Sequence, residues 1–124
     1  MVRPPRPGVR TVRGPVDEVV ADLRRRGTVP HVIGPVDSKR ALIAALGAAL
    51  DFPDWVGTNW DALYDALGDL SWRPPGAQAV VWVDPAVLER ADPGGHALAL
   101  RILRDATEAS ARTAHPLTVL LVSP

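Results

Sequence analysis

The sequence of 124 residues contains no cysteine, one lysine, one methionine and only six aromatic residues. Without cysteine there are no disulfides and no thiol chemistry, which is compatible with a reducing compartment. No apolar run approaches the roughly 20 residues of a membrane-spanning helix. The basic N-terminus is not followed by the apolar segment of a signal peptide. These absences predict a single-domain cytoplasmic protein whose core is stable without covalent cross-links.

Motifs of catalysis and of metal binding are also missing. The histidines at positions 31, 96 and 115 are scattered, without the spacing typical of metal ligands. There is no phosphate-binding glycine loop, no dinucleotide-binding fingerprint and no serine-nucleophile motif. We therefore expect no catalytic residue, no cofactor and no metal site.

Charge is distributed unevenly along the chain, although the net charge is zero. Residues 1–40 hold nine basic and four acidic side chains, whereas residues 41–72 hold five acidic ones and no basic one. The segment FPDWVGTNWDALYDALGDLSW, residues 52–72, also contains three of the four Trp, the only Tyr and the only Phe. Such a block within a domain indicates a cationic partner or a metal ion, although a solvated helix face produces the same charge pattern.

Hydrophobic periodicity predicts four helices and three strands after a flexible basic arm over residues 1–14, which is rich in Pro, Gly and Arg. The stretch 84–95 is expected to be a loop with at most one helical turn. The later strands are apolar on both faces, which predicts an α/β domain over residues 15–124 built on a three-stranded parallel sheet. Helices are expected at residues 16–27, 37–50, 59–68 and 96–112, and strands at residues 29–34, 79–83 and 117–122.

Asp61 and Asp65 are the strongest functional candidates. They are four residues apart on a predicted helix, so their side chains lie on one face, about 6 Å apart at Cβ. The helix dipole favours Asp61 in the first turn but not Asp65 in the middle, which makes Asp65 the more costly acid. The pair is compatible with acid–base catalysis, with Mg²⁺ or Ca²⁺ binding, or with docking into a basic groove. The aromatic neighbours Trp55 and Tyr64 favour docking, whereas Trp60 continues the apolar face and is expected in the core.

Residues 52–67, FPDWVGTNWDALYDAL, resemble the barstar family, the intracellular inhibitors of secreted bacterial ribonucleases of the barnase type. The family pattern is approximately [LF]-P-[ED]-aromatic-x-G-x-N-x-D-A-L-[WY]-D-x-L, and the likeness extends over about residues 29–123. The resemblance implies a barstar-like fold, a three-stranded parallel sheet with helices around it. The predicted N-terminal helix is then an addition to the shortest family members.

The resemblance also implies a mechanism, in which the chain occludes the active site of a cationic ribonuclease without any chemistry of its own. Asp65 would occupy the place of a substrate phosphate, with Asp61 beside it. Tyr64 stands where the family more often has Trp, and Asp105, within ILRDA, matches an acidic residue late in the last helix. The partner-binding positions implied by the family are Trp55, Gly57, Asn59, Asp61, Tyr64, Asp65 and Asp105.

The implied partner is a secreted or delivered ribonuclease, bound by a monomeric, cytoplasmic immunity protein that contacts neither nucleic acid nor membrane. The main alternative is an interaction module with the same fold and a target that is not a nuclease. An enzyme that uses Mg²⁺ at the aspartates is a further alternative. A nucleic-acid binder acting through the Arg-rich N-terminus is the last, because no aromatic residues are interleaved with the basic ones.

Overall fold

The structure, a computed structural model, describes residues 3–123. Their four strands form one parallel sheet in the order β1-β4-β3-β2. None of the helices in this range is long and apolar enough to span a bilayer. The elements in chain order are β1 (Gly8–Arg13), α1 (Val16–Arg25), β2 (Val29–Ile33), α2 (Lys39–Ala49), α3 (Trp60–Asp69), β3 (Gln78–Val83), α4 (Ala86–Ala91), α5 (Pro93–Ser110) and β4 (Leu117–Ser123).

Polar side chains define where the two helices around the acidic segment begin. Ser38 Oγ accepts a hydrogen bond of 3.0 Å from the Ala41 amide at the start of α2. Asn59 Oδ1 accepts one of 2.8 Å from the Ala62 amide at the start of α3. Each cap satisfies an amide that the first helical turn leaves free, which typically stabilises a helix by about 1 kcal/mol. Helix α3 ends at Leu70, whose backbone is left-handed with φ 52°.

The larger part of the core lies on one face of the sheet, beneath α2, α3, α4 and α5. Leu63 and Leu67 of α3 and Trp82 of β3 are completely buried there. These helices supply leucines at helical spacing, which is the pattern expected of an apolar stripe that faces a sheet. The other large buried side chains of this cluster are Leu42, Leu46, Leu50, Leu70, Leu88, Leu103 and Leu117.

Helix α1 covers the opposite face of the sheet with a smaller cluster. Val19 and Leu23 of α1 are buried against the second face of β3 and β4. The helices on both sides explain why β3 and β4 are apolar on both faces, as parallel strands usually are. The strand residues of this cluster are Ala79, Val81, Leu120 and Val122.

The prediction of a parallel α/β sheet is confirmed, but the predicted number of three strands is wrong. Gly8–Arg13, inside the segment that we predicted to be a flexible arm, forms a fourth strand that pairs in parallel with β4. Only Val9 and Val12 of this strand contact the core, one on each face of the sheet, so it has no apolar run. Its backbone pairing with β4 is a tertiary contact that periodicity does not report. The stretch 84–95, where we expected a loop with a helical turn, contains the short helix α4 (Ala86–Ala91).

Candidate functional site

The acidic and aromatic side chains of residues 52–72 lie on α3 and on the loop before it, residues 50–59, which we name the α2–α3 loop. Helix α3 presents Leu63 and Leu67 to the core and leaves Asp61 and Asp65 exposed on its other side. Neither carboxylate forms an ion pair or a hydrogen bond with another side chain of residues 3–123. Both negative charges are therefore available to a partner.

Asp65 lies in an open groove between α3 and the α2–α3 loop. The groove has a volume of about 410 Å³, and its far wall is the loop, from Trp55 to Gly57. An exposed carboxylate is thus combined with an exposed indole, a pairing that suits recognition of a cationic, partly apolar surface. The residues that line the groove are Trp55, Val56, Gly57, Ala62, Asp65, Ala66 and Asp69.

Trp55 is the outermost member of a group of three aromatic rings, Phe52, Trp72 and Trp55, which we name the aromatic cluster. Its side chain is 74% exposed. Its ring meets Trp72 edge to face, with centroids 6.0 Å apart, and Trp72 meets Phe52 in the same way at 5.7 Å. Such geometry is favourable for aromatic pairs. The concentration of aromatics in this segment therefore has two causes, because Phe52 and Trp72 are supports and only Trp55 projects into solvent.

Trp60 and Tyr64 are both half-buried against the main core. The packing predicted for Trp60 is confirmed, and its outer ring face carries the Lys39 ammonium, 5.1 Å from the ring centroid. Tyr64, which we expected to face outward, has part of its ring in the core. Its remaining surface lies on α3 between Asp61 and Asp65.

Gly57 and Asn59 give the α2–α3 loop its shape. A Cβ atom on Gly57 would lie 3.3 Å from the Cβ of Ala62, so a larger residue would push the loop away from α3. Asn59 uses its Oδ1 to cap α3, as described above. Both residues are exposed, and their contact with a partner stays a prediction.

Asp105 is exposed on α5, the helix that packs against α3. The two helices approach closely, because a Cβ atom on Gly68 of α3 would lie 3.3 Å from the Cβ of Ala109 on α5. Asp105 is one helical turn before Ala109 and so lies on the same side of α5. The structure thus places Asp105 on the helix next to the Asp61–Asp65 pair.

A group of buried polar side chains beneath the α2–α3 loop was missed by sequence reasoning; we name His31, Arg73 and Gln78 the loop anchor. Arg73 pairs with the Asp51 carboxylate at 2.8 Å, and its Nε donates to Gln78 Oε1 at 3.2 Å. His31 Nε2 lies 2.8 Å from the same oxygen, and Nδ1 lies 3.1 Å from the Ala49 carbonyl. Burial lowers the pKa of His31. The one sequence hint is the polar Gln78 at the start of an apolar strand.

The basic residues of the N-terminal part lie on the other side of the sheet from α3. A groove of about 390 Å³ between β1 and α1 is lined by Arg10, Arg13, Arg25 and Arg26, with Glu18 and Asp22 among them. Asp22 pairs with Arg25 at 3.4 Å and with Arg26 at 3.0 Å. The sheet therefore separates this arginine-lined groove from α3.

Asp61 and Asp65 offer two carboxylates. Mg²⁺ and Ca²⁺ take six or more oxygen ligands. Across residues 3–123, no three His, Asp or Glu side chains come together in a group that could hold a metal ion. The geometry of the site is that of a surface with two acids and a supported aromatic side chain.

A protein-family model described as Barstar (barnase inhibitor) matches residues 31–122 of the chain. No curated protein matches the sequence. The matched region runs from the middle of β2 to the end of β4. It includes the α2–α3 loop, α3 and α5, and it leaves out β1 and α1.

Proposed function

Because the chain belongs to the barstar family of barnase inhibitors, we propose that it is an intracellular immunity protein that blocks a cationic bacterial ribonuclease. Members of this family act as inhibitors and not as enzymes. The chain would bind as a monomer in the cytoplasm and occlude the active site of the nuclease. This mode of action needs no catalytic residue and no cofactor.

The observation that carries this proposal is the unpaired carboxylate of Asp65 in the groove beneath Trp55. A ribonuclease active site holds cationic side chains that bind substrate phosphates. A carboxylate that projects from a rigid helix can take the place of such a phosphate and form charge-assisted hydrogen bonds. Because Asp65 has no partner within the described residues, binding would not break an existing ion pair.

The surrounding residues extend this contact. Asp61 would add a second negative charge one turn before Asp65, and Asp105 would add a third from α5. Trp55 would supply the apolar anchor typical of interface hot spots. Tyr64 would contribute the exposed part of its ring between the carboxylates.

The charge separation across the sheet also supports a cationic partner. The four arginines of the β1–α1 groove lie beyond the opposite face of the sheet. Along α3 itself, three aspartates outnumber Lys39, the cation that lies over Trp60. Opposite charge on the partner speeds association by electrostatic steering. An interaction module with a target that is not a nuclease is the remaining candidate, because exposed carboxylates alone do not specify which cationic protein they bind.

The test is calorimetric titration of the chain with basic ribonucleases encoded next to it in the same genome. Asp65→Ala is expected to weaken binding by about 2–5 kcal/mol, the range for truncating one partner of a buried interface charge pair, for which complexes of this family are themselves a reference case. Asp17→Ala, an exposed carboxylate on α1, is the matched control and should bind like the wild type. Equal affinity of Asp65→Ala and the wild type would contradict the proposal. If capture from the native host instead returns an Asp65-dependent partner without nuclease activity, the alternative is correct.

A further inference from the structure

Trp72 contacts the α2–α3 loop in two ways, although it lies outside the predicted set of binding residues. Its Nε1–H donates a hydrogen bond of 2.9 Å to the carbonyl of Leu50, the first residue of the loop. Its ring contacts Phe52 on one side and Trp55 on the other, as the middle member of the aromatic cluster. A single half-buried side chain therefore contacts both the start and the tip of the loop.

The loop anchor holds the adjacent residues at the start of the loop. Arg73 pairs with Asp51, and the His31 ring faces the carbonyl of Ala49. The Asp51 backbone is left-handed with φ 55°, a conformation that is unfavourable for a residue with a side chain. The ion pair with Arg73 orients the Asp51 side chain at this turn, although the carboxylate itself is 77% exposed and solvent screens the pair. Three consecutive residues therefore have partners: His31 contacts Ala49, Trp72 contacts Leu50 and Arg73 contacts Asp51.

The two ends of the loop have further contacts, because the Phe52 amide donates to the Gly47 carbonyl at 2.9 Å and Asn59 caps α3, whereas the tip around Trp55 has fewer. Trp55 is 74% exposed, and its ring contact within residues 3–123 is with Trp72. A loop that is free in solution loses conformational entropy when a partner fixes it, and this loss weakens binding. A loop that is already held in the bound position avoids most of this loss.

We propose that Trp72 is a positioning residue for partner binding, and that Arg73 and His31 act beside it by holding Asp51 and Ala49. It would not touch the partner but would hold the α2–α3 loop with Trp55 in the conformation that binds. This inference rests on the proposed function and explains how the α2–α3 loop is held in its binding conformation before the partner arrives. It also assigns the loop anchor, which lies beneath the site, a role in affinity.

The first readout does not involve a partner and compares Trp72→Phe with Trp72→Ala in the free protein. Trp72→Phe removes the hydrogen bond to Leu50 and keeps a ring between Phe52 and Trp55, whereas Trp72→Ala removes both. Amide hydrogen exchange in peptides covering residues 50–59 should rise in the order wild type, Trp72→Phe, Trp72→Ala, with no change in α1. Unchanged exchange in the loop of Trp72→Ala would overturn the inference.

The second readout is the dissociation constant for the cationic ribonuclease, measured as a double-mutant cycle with Trp55→Ala. Trp72→Ala should weaken binding about 10-fold, and this loss should largely disappear when Trp55 is already Ala. A loss of the same size in both backgrounds would overturn the inference. Trp72→Phe is measured alongside, and its control is Trp82→Phe, which makes the same change of indole to phenyl at a completely buried site and should leave affinity unchanged.

The two readouts separate this inference from the proposed function. If the wild type binds no ribonuclease while the loop of Trp72→Ala exchanges faster, the proposed function fails and the support of the loop by Trp72 stands. If the wild type binds in an Asp65-dependent manner and Trp72→Ala binds equally well, the proposed function stands and the positioning role fails.

Discussion

The two faces of the sheet differ in size of core, in polarity and in charge. The face beneath α2–α5 holds the large leucine-rich cluster, the loop anchor and the exposed aspartates. The face beneath α1 holds a small apolar cluster with the buried Thr118 beside it and an arginine-lined groove at its edge. The family match at residues 31–122 covers the first face and leaves out α1 and β1. The N-terminal part therefore adds an edge strand to the sheet and a helix that covers its second face, and it carries a net positive charge.

This comparison shows why the net charge of the chain is a poor guide to its partner. Residues 3–28 hold seven basic and three acidic side chains, while residues 29–123 hold seven basic and eleven acidic ones. The two parts have opposite net charge, and the sheet keeps them apart. A chain that is neutral as a whole can therefore present a negative field at one surface.

The largest expected difference between the two faces is in stability. Leu63→Ala, in the large cluster, should lower the free energy of unfolding by about 3–5 kcal/mol, because the rigid core around it cannot close the cavity. Leu23→Ala, in the small cluster, should lower it by about 2–3 kcal/mol, because α1 can move toward the sheet. Urea denaturation of both variants measures the two losses in the free energy of unfolding. Equal losses of stability would contradict this difference between the faces, and a loss of ribonuclease affinity in Leu23→Ala would show that the two faces are coupled.

Acid should lower the free energy of unfolding through a group on the face beneath α2–α5. His31 is buried on that face beside Gln78, Arg73, Asp51 and the Ala49 carbonyl. Burial lowers the pKa of His31 in the folded chain, so the unfolded chain binds the proton more tightly. Stability should therefore fall as pH drops below about 6.5, the ordinary value for histidine, until His31 is protonated in the folded state. His31→Gln should remove this component.

Urea midpoints between pH 7.5 and pH 5.5 for the wild type and His31→Gln measure this effect. The wild-type midpoint should decrease more than that of the variant. The matched control is Leu23→Ala on the α1 face, which should keep the acid dependence of the wild type. A decrease of the same size in His31→Gln would contradict the role of His31.

The smallest effect should come from charge on the α1 face. Arg24 is exposed on α1 and has no ion-pair partner within residues 3–123. Arg24→Glu should raise the association rate with a cationic ribonuclease by about twofold through long-range steering, and leave the dissociation rate unchanged. The increase should vanish in 1 M salt, where the screening length is about 3 Å. A changed dissociation rate in stopped-flow measurements would mean that Arg24 contacts the partner.

Helix α3 could be predicted from sequence because its apolar residues recur every three to four positions and Asn59 supplies its cap. The exposure of Asp61, Asp65 and Trp55 followed from the same pattern and from the Gly and Pro of the loop. Strand β1 could not be predicted, because its six residues include two Arg and one Gly and it is held by pairing with β4.

The loop anchor was beyond the reach of sequence reasoning for a similar reason. His31 and Gln78 are 47 positions apart in the chain, and no spacing rule connects a strand histidine with the first residue of another strand. Contacts of this kind depend on the order of strands in the sheet. The binding roles of the predicted site residues stay predictions, since their exposure alone does not report what they bind.

The position of β4 in the sheet has a consequence for how the protein is made. In chain order β4 follows the other three strands, yet in the sheet it lies between β1 and β3. During synthesis, β1 must wait for more than a hundred further residues before its partner strand leaves the ribosome. Closing such a long loop is slow, and α1 has no complete sheet face to cover until then. The pairing of β2 with β3 does not need β4, whereas β1 cannot join the sheet before β4 has been made.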